Sequence, residues 1–122
     1  MRLFGTHTLP GGRRVRARLP HTSDRRALRE LQARLGLPDA GELEICRALR
    51  HQPRDHVAIC ATAWTGGREQ LVGFACGDVA GTEPVVVVAD EDVAPGLHDL
   101  LLRALAECGV TGLGTVAGLR VA

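Results

Sequence analysis

The side chains able to do chemistry are scattered along this chain. Cys46, Cys60, Cys76 and Cys108 are separated by gaps of 14, 16 and 32 residues. No C-x-x-C pair and no zinc-ligand spacing occurs. Each cysteine lies among apolar neighbours, which suits small buried hydrophobes, so neither a metal site nor a disulfide is expected. Of His7, His21, His51, His56 and His98, the closest two, His51 and His56, are five apart with Pro53 between them, and cannot share a helix face. All 15 basic residues are Arg, and the chain has no Lys and no Tyr. A lysine amine or a phenol is therefore excluded as nucleophile or general acid. Arg13, Arg14, Arg16 and Arg18, then Arg25, Arg26 and Arg29, have the chemistry to grip phosphates through paired hydrogen bonds. Asp24, Glu30, Glu42 and Glu44 lie close in sequence and no aromatic stacking partner stands among them, so both groups read as a solvated face. The tail from Gly112 to Gly118 imitates a dinucleotide-binding loop. Only four residues follow it, too few for the helix that must carry the phosphate.

The whole chain has 122 residues, 45% hydrophobic and 24% charged, with a formal net charge of +1. This is the balance of one globular domain, and it argues against disorder and against a strongly basic nucleic-acid binder. No apolar run approaches the roughly 20 residues of a membrane helix. MRLFGTHTLP has no signal-peptide core, and a reducing cytoplasm is the expected location.

Residues 1–12 read as an irregular lead-in closed by the Pro10-Gly11-Gly12 turn, with a single domain over 13–122. Val15, Ala17 and Leu19 alternate with Arg14, Arg16 and Arg18, the period of a half-buried strand. Thr22 or Ser23 can cap a helix, and Asp24 suits its positive end. Ala27, Leu28, Leu31 and Leu35 then follow helical spacing to Gly36. A second helix fits Ala40 to His51. Strands follow over His56–Trp64, where both alternating sets are small or apolar, and over Gln70–Val79, joined by Thr65-Gly66-Gly67-Arg68 as a hairpin turn. Pro84 to Val88 reads as a buried central strand. Leu97, Leu100, Leu101, Ala104, Leu105 and Cys108 form the stripe of a helix ended by Gly109. Val116, Leu119 and Val121 are weakly strand-like. The order β-α-α-β-β-β-α-β predicts an α/β (α+β) domain with a mixed sheet, the last strand joining by a parallel crossover.

The segment Val88-Ala89-Asp90-Glu91-Asp92-Val93-Ala94-Pro95-Gly96-Leu97-His98 joins the central strand to the apolar helix. It resembles motif A of the GNAT superfamily of acyl-CoA-dependent N-acetyltransferases, whose signature there is Q/R-x-x-G-x-G/A. The order of elements fits the same fold. Leu71-Val72-Gly73-Phe74-Ala75 resembles the family's third strand. Gly11 to Arg18 with Asp24 resembles the start of domains in the bacterial protein-lysine acetyltransferase branch. The resemblance spans roughly residues 11–110. It implies that Val87, Val88 and Ala89 offer strand backbone to the pantetheine arm of acetyl-CoA. It also implies that Gly96, Leu97 and His98 offer amides to the pyrophosphate at the helix start, where the dipole favours anions.

The chain departs from that pattern. The Q/R position is Val93, the last glycine is His98, Pro95 has no N–H to give, and Asp92 puts a negative charge near a dianionic group. The family's usual further helix and terminal hairpin are not expected within these residues, and the Tyr that often protonates the departing thiolate has no counterpart; Cys108 or a water stands in its place. Asp78 and Glu83 are the candidates for a base, by position only. Two readings follow. One is a divergent GNAT-fold module serving binding, regulation or assembly, without catalysis or only weakly active. The other is an N-acetyltransferase that moves an acetyl group to an amine. An apolar sheet edge near residues 112–122 needs cover, so a homodimer or a partner chain is expected to pair there. Neither a membrane nor a nucleic acid is an expected partner.

Overall fold

A computed structural model describes residues 4–38, 41–52, 54–79, 84–89 and 96–110. Five strands and three helices follow one another as β1 (Gly5–Thr8), β2 (Arg14–Arg18), α1 (Asp24–Arg34), α2 (Glu42–Leu49), β3 (His56–Thr65), β4 (Arg68–Asp78), β5 (Val85–Val88) and α3 (Leu97–Glu107). The strands form one sheet in the order β1-β2-β3-β4-β5. Every pairing within it is antiparallel. The parallel crossover expected of the last strand falls in residues 111–122, outside the described residues.

The lead-in is a correction. Gly5–Thr8 is a strand whose residues pair with Ala17 to Arg14, and Leu9 beyond it is buried. Its side chains alternate between half-buried and exposed and carry no large apolar group. The pairing rests on backbone hydrogen bonds, which leave no mark in the pattern of side chains.

The sheet is covered on both faces, as the apolar alternation in β3 requires. Val57, Ile59, Ala61 and Ala63 face α3 together with Val86, Leu97, Leu101 and Leu105. Ala58, Cys60, Phe74, Cys76 and Val87 face the two earlier helices through Leu28, Leu31, Ile45 and Leu49. Gly73 allows α3 to come close, since a Cβ there would stand 3.1 Å from both Leu97 and Leu101. β4 carries one extra residue: Ala61 pairs with Gly73 while Thr62 pairs with Leu71. This bulge places Val72 and Gly73 in succession on the α3 face. The second helix is shorter than expected, ending at Leu49. Between it and the sheet the neutral His51 ring accepts the Ala58 N–H at 3.3 Å. Burial, and the neighbouring His56, lower the His51 pKa.

Candidate functional site

β5 leads directly toward α3. Val86 and Val88 pack on the α3 face and Val87 on the other. The Ala89 N–H donates to the Val72 carbonyl at 2.8 Å, and Val88 stands opposite Gly73. Backbone groups alternate along a paired strand. Val87 and Ala89 therefore turn theirs inward to β4, whereas Val86 and Val88 turn theirs to the side of β5 on which no described strand pairs. Of the three residues expected to offer backbone, Val88 alone turns its groups away from β4, as does Val86, while Val87 and Ala89 pair inward. The signal was the register, which periodicity alone cannot fix.

At the other side of the junction, Gly96 precedes α3 in the left-handed conformation, with φ of 90°. Only glycine takes this angle without strain. Its carbonyl accepts the Leu100 N–H at 2.9 Å, which begins the helix. The Leu97 side chain is fully buried against the sheet, so this residue has only its backbone to offer a ligand. His98 is half-buried. The flank of Gly96 is already taken: a Cβ there would lie 2.9 Å from Cδ of Pro10. The turn between β1 and β2 thus packs against the entrance of α3, a contact no local sequence signal announces. Asp92, Val93 and Pro95 lie outside the described residues.

The base candidates are not brought to this junction. Asp78 ends β4 and pairs with His56, Oδ1 to Nδ1 at 2.9 Å. It is five residues beyond Gly73 on the same strand, about 17 Å at the usual rise. Glu83 lies outside the described residues. Cys108 follows the last turn of α3, about 16 Å from the helix start at 1.5 Å per residue. Burial raises its pKa, so it is neither near the junction nor a ready acid. The Cys76 thiol is pushed up to about 12, first by burial and then by Asp78. Cys60 is raised by burial and by the charge of Asp24. Both behave as the apolar core residues their surroundings predict.

The arginine stripe holds a second correction. Arg18 is not on a solvated face: its Nη1 and Nη2 donate to Asp24 Oδ2 and Oδ1 at 2.8 and 2.9 Å. The side chains are 12% and 5% exposed. Asp24 also accepts the His21 N–H at 2.6 Å and the Cys60 thiol at 3.6 Å. Burial alone would raise the Asp24 pKa, but the hydrogen bonds from Arg18 and His21 outweigh it and hold the carboxylate below its ordinary value. The expected cap is not made by Ser23, whose side chain forms no capping bond. Asp24 instead ties the start of α1 to the end of β2. Beyond it, Glu69 accepts from the Thr62 hydroxyl at 2.7 Å and stands 3.8 Å from Nε of Arg18. Arg34 closes the same side, donating to the Leu71 carbonyl at 3.0 Å.

No protein-family model and no curated protein sequence matches this chain. Among solved structures, the crystal structure of the GNAT domain of S. lividans PAT aligns with a TM-score of 0.67 at 20% identity, covering 89% of this chain and 75% of that one. The chain has the GNAT fold. The likeness bears out the fold expected from the order of elements. GNAT folds generally bind acetyl-CoA, and the junction can be tested against that group. The strand half fits, because Val86 and Val88 direct backbone donors and acceptors to the side of β5 on which no described strand pairs. At the helix half Pro10 stands beside the one retained glycine and His98 replaces the next, while residues 90–95 lie outside the described residues. Among the described residues no three His, Cys, Asp or Glu side chains gather as metal ligands. No described helix is long and apolar enough to cross a membrane.

Proposed function

We propose that this GNAT-fold chain is a module for binding, regulation or assembly, in which acetyl transfer has been lost or is weak. The packing of Pro10 against Gly96 carries this reading. It puts a ring of the chain's own N-terminal hairpin on one side of the glycine that a phosphate would approach closely. The separation of Asp78 from the junction, and its pairing with His56, supports the same reading. A cytoplasmic location with reduced cysteines belongs to the same proposal, supported by four free cysteines of which Cys60 and Cys76 are buried. A homodimer or partner chain pairing through residues 112–122, which lie outside the described residues, belongs to the same proposal.

The second reading is acetyl transfer from acetyl-CoA to an amine, and the outward backbone groups of Val86 and Val88 favour it. A two-dimensional amide spectrum separates the two by location. Acetyl-CoA at roughly 1 mM, a concentration that fills any micromolar site, is expected to leave the Val88, Leu97 and His98 resonances in place. No thiol should be released from it in the presence of amines. Saturable shifts at those three amides with micromolar affinity, accompanied by thiol release, would establish the transferase instead.

A further inference from the structure

The sheet face that carries the first two helices is not covered to its end. Past Arg18 and Cys60 the helices stop, and β1, β2 and β3 continue as an open surface. Thr6 pairs with Arg16, and Arg16 pairs with Thr62, so these three form one row across the strands. The β2–β3 pairing ends at Arg16 and Thr62; two residues further on each strand, Arg14 and Trp64 both line the same groove, and Trp64 is itself paired with Glu69. These residues line a groove of about 610 Å³, within the range of small-ligand sites.

Its chemistry is specific. Trp64 is 73% exposed and lines the groove with its indole. Arg14 and Arg16 are exposed, and neither is paired with a carboxylate among the described residues. Arg13 adds a third guanidinium at the rim, donating to the Thr65 hydroxyl at 3.2 Å. The groove's one carboxylate, Glu69, is drawn inward by the Thr62 hydroxyl and the nearby Arg18. The local charge is therefore positive, although the chain as a whole is near neutral. Cross-strand neighbours stand about 5 Å apart and next-nearest residues along a strand about 7 Å. An aromatic ring stacked on Trp64 thus places an attached phosphate within reach of both arginines.

We propose that this groove binds a nucleoside phosphate, with the base stacked on Trp64 and the phosphate held by Arg14 and Arg16. The inference is independent of what the β5–α3 junction holds, because that junction lies on another part of the sheet. The arginines were set aside in the sequence for want of an aromatic neighbour. The pairing of β2 with β3 supplies one from 50 residues away.

Trp64 is the chain's only tryptophan, so its fluorescence reports on the groove directly. Titration of the full chain with ADP is expected to quench it saturably. Adenosine and inorganic phosphate should each bind at least about tenfold more weakly, since stacking and charge act together. The R14A/R16A variant should lose about tenfold or more in ADP affinity with its melting temperature unchanged, because both side chains are exposed and unpaired. Calorimetry on W64L should show the same loss. A short oligonucleotide with a terminal phosphate distinguishes the source: tighter binding than ADP points to a nucleic-acid end, weaker binding to a free nucleotide, and either supports the assignment if W64L removes it. The proposal is overturned by the absence of saturable quenching up to roughly 10 mM ADP, an affinity too weak to be specific. It is equally overturned by ADP binding that R14A/R16A leaves intact. Acetyl-CoA also carries an adenine nucleotide, and the Trp64 indole resonance separates binding here from any shift at Leu97 and His98.

Discussion

The two faces of the sheet are held by different physics. On the α3 face, Leu97, Leu101 and Leu105 lie fully buried over small strand residues, and Gly73 sets the closeness of the contact. On the opposite face the apolar layer of Phe74, Leu28 and Leu31 is bordered by charge. Asp24, 3% exposed, is satisfied by Arg18, the His21 amide and the Cys60 thiol. A helix that packs through leucines alone can be set down anywhere along an apolar surface. A helix that begins with a buried carboxylate must meet its arginine. The difference shows where this fold spends polar interactions: at the point where the first helix turns back on the strand before it, and where the sheet runs out from under its cover.

The contrast can be broken from its charged side first. Asp24→Ala leaves Arg18 buried without its partner, which costs about 4 kcal/mol in urea denaturation at neutral pH. Replacing both, as R18M/D24L, should recover much of that loss, because an apolar pair does not require ion-pair geometry. Acid probes the same contact. Asp24 titrates below its unfolded value, so its contribution is fully present above that value. It is lost as pH falls through the lower, folded pKa. Stability curves of the wild type should therefore drop at acid pH by more than those of D24A. A loss in D24A equal to the wild type's would show that other carboxylates govern the acid limb.

On the α3 face the expected effect is somewhat smaller and indifferent to pH. Leu101→Ala removes a side chain with no exposed surface and costs about 3 kcal/mol. The deficit should be the same at pH 7 and at pH 4. The smallest effect is at the helix surface. Arg103 and Asp99 pair at 3.1 Å while 62% and 73% exposed, so a double-mutant cycle should find a coupling below about 0.5 kcal/mol, shrinking further in salt. A larger coupling would mean that the solvated side of α3 contributes more than its exposure indicates.

Most of this frame was legible in the sequence because its elements repeat with a strong period. The small-and-apolar run of β3, the valines of β5 and the leucine stripe of α3 each name their own conformation and burial. β1 was not legible, since its Gly, Thr and His residues carry no apolar alternation and its place in the sheet is set by backbone pairing with β2. Arg18 looked like every other arginine of its alternating stripe. What buries it is α1 folding back across the end of β2, an event set by residues six positions away and invisible to a period of two. At the junction, the line from Val88 to His98 could be read as a strand, a loop and a helix. The contact between Pro10 and Gly96 could not, because it joins parts of the chain 86 positions apart. The same holds for Trp64 and Arg14, which come to line one groove only through how two strands are aligned.

That alignment has its own lock. The extra residue at Val72 means that β3 and β4 match on either side of the bulge only in one offset. Sliding β4 by a single position would send Phe74 to the face of α3 and Gly73 beneath Leu28, and would misplace the bulge as well. A residue inserted between Gly66 and Gly67 would therefore lengthen the hairpin's tip instead of shifting its arms. The tip of this hairpin is a place where chain can be added without moving anything on either side of the sheet.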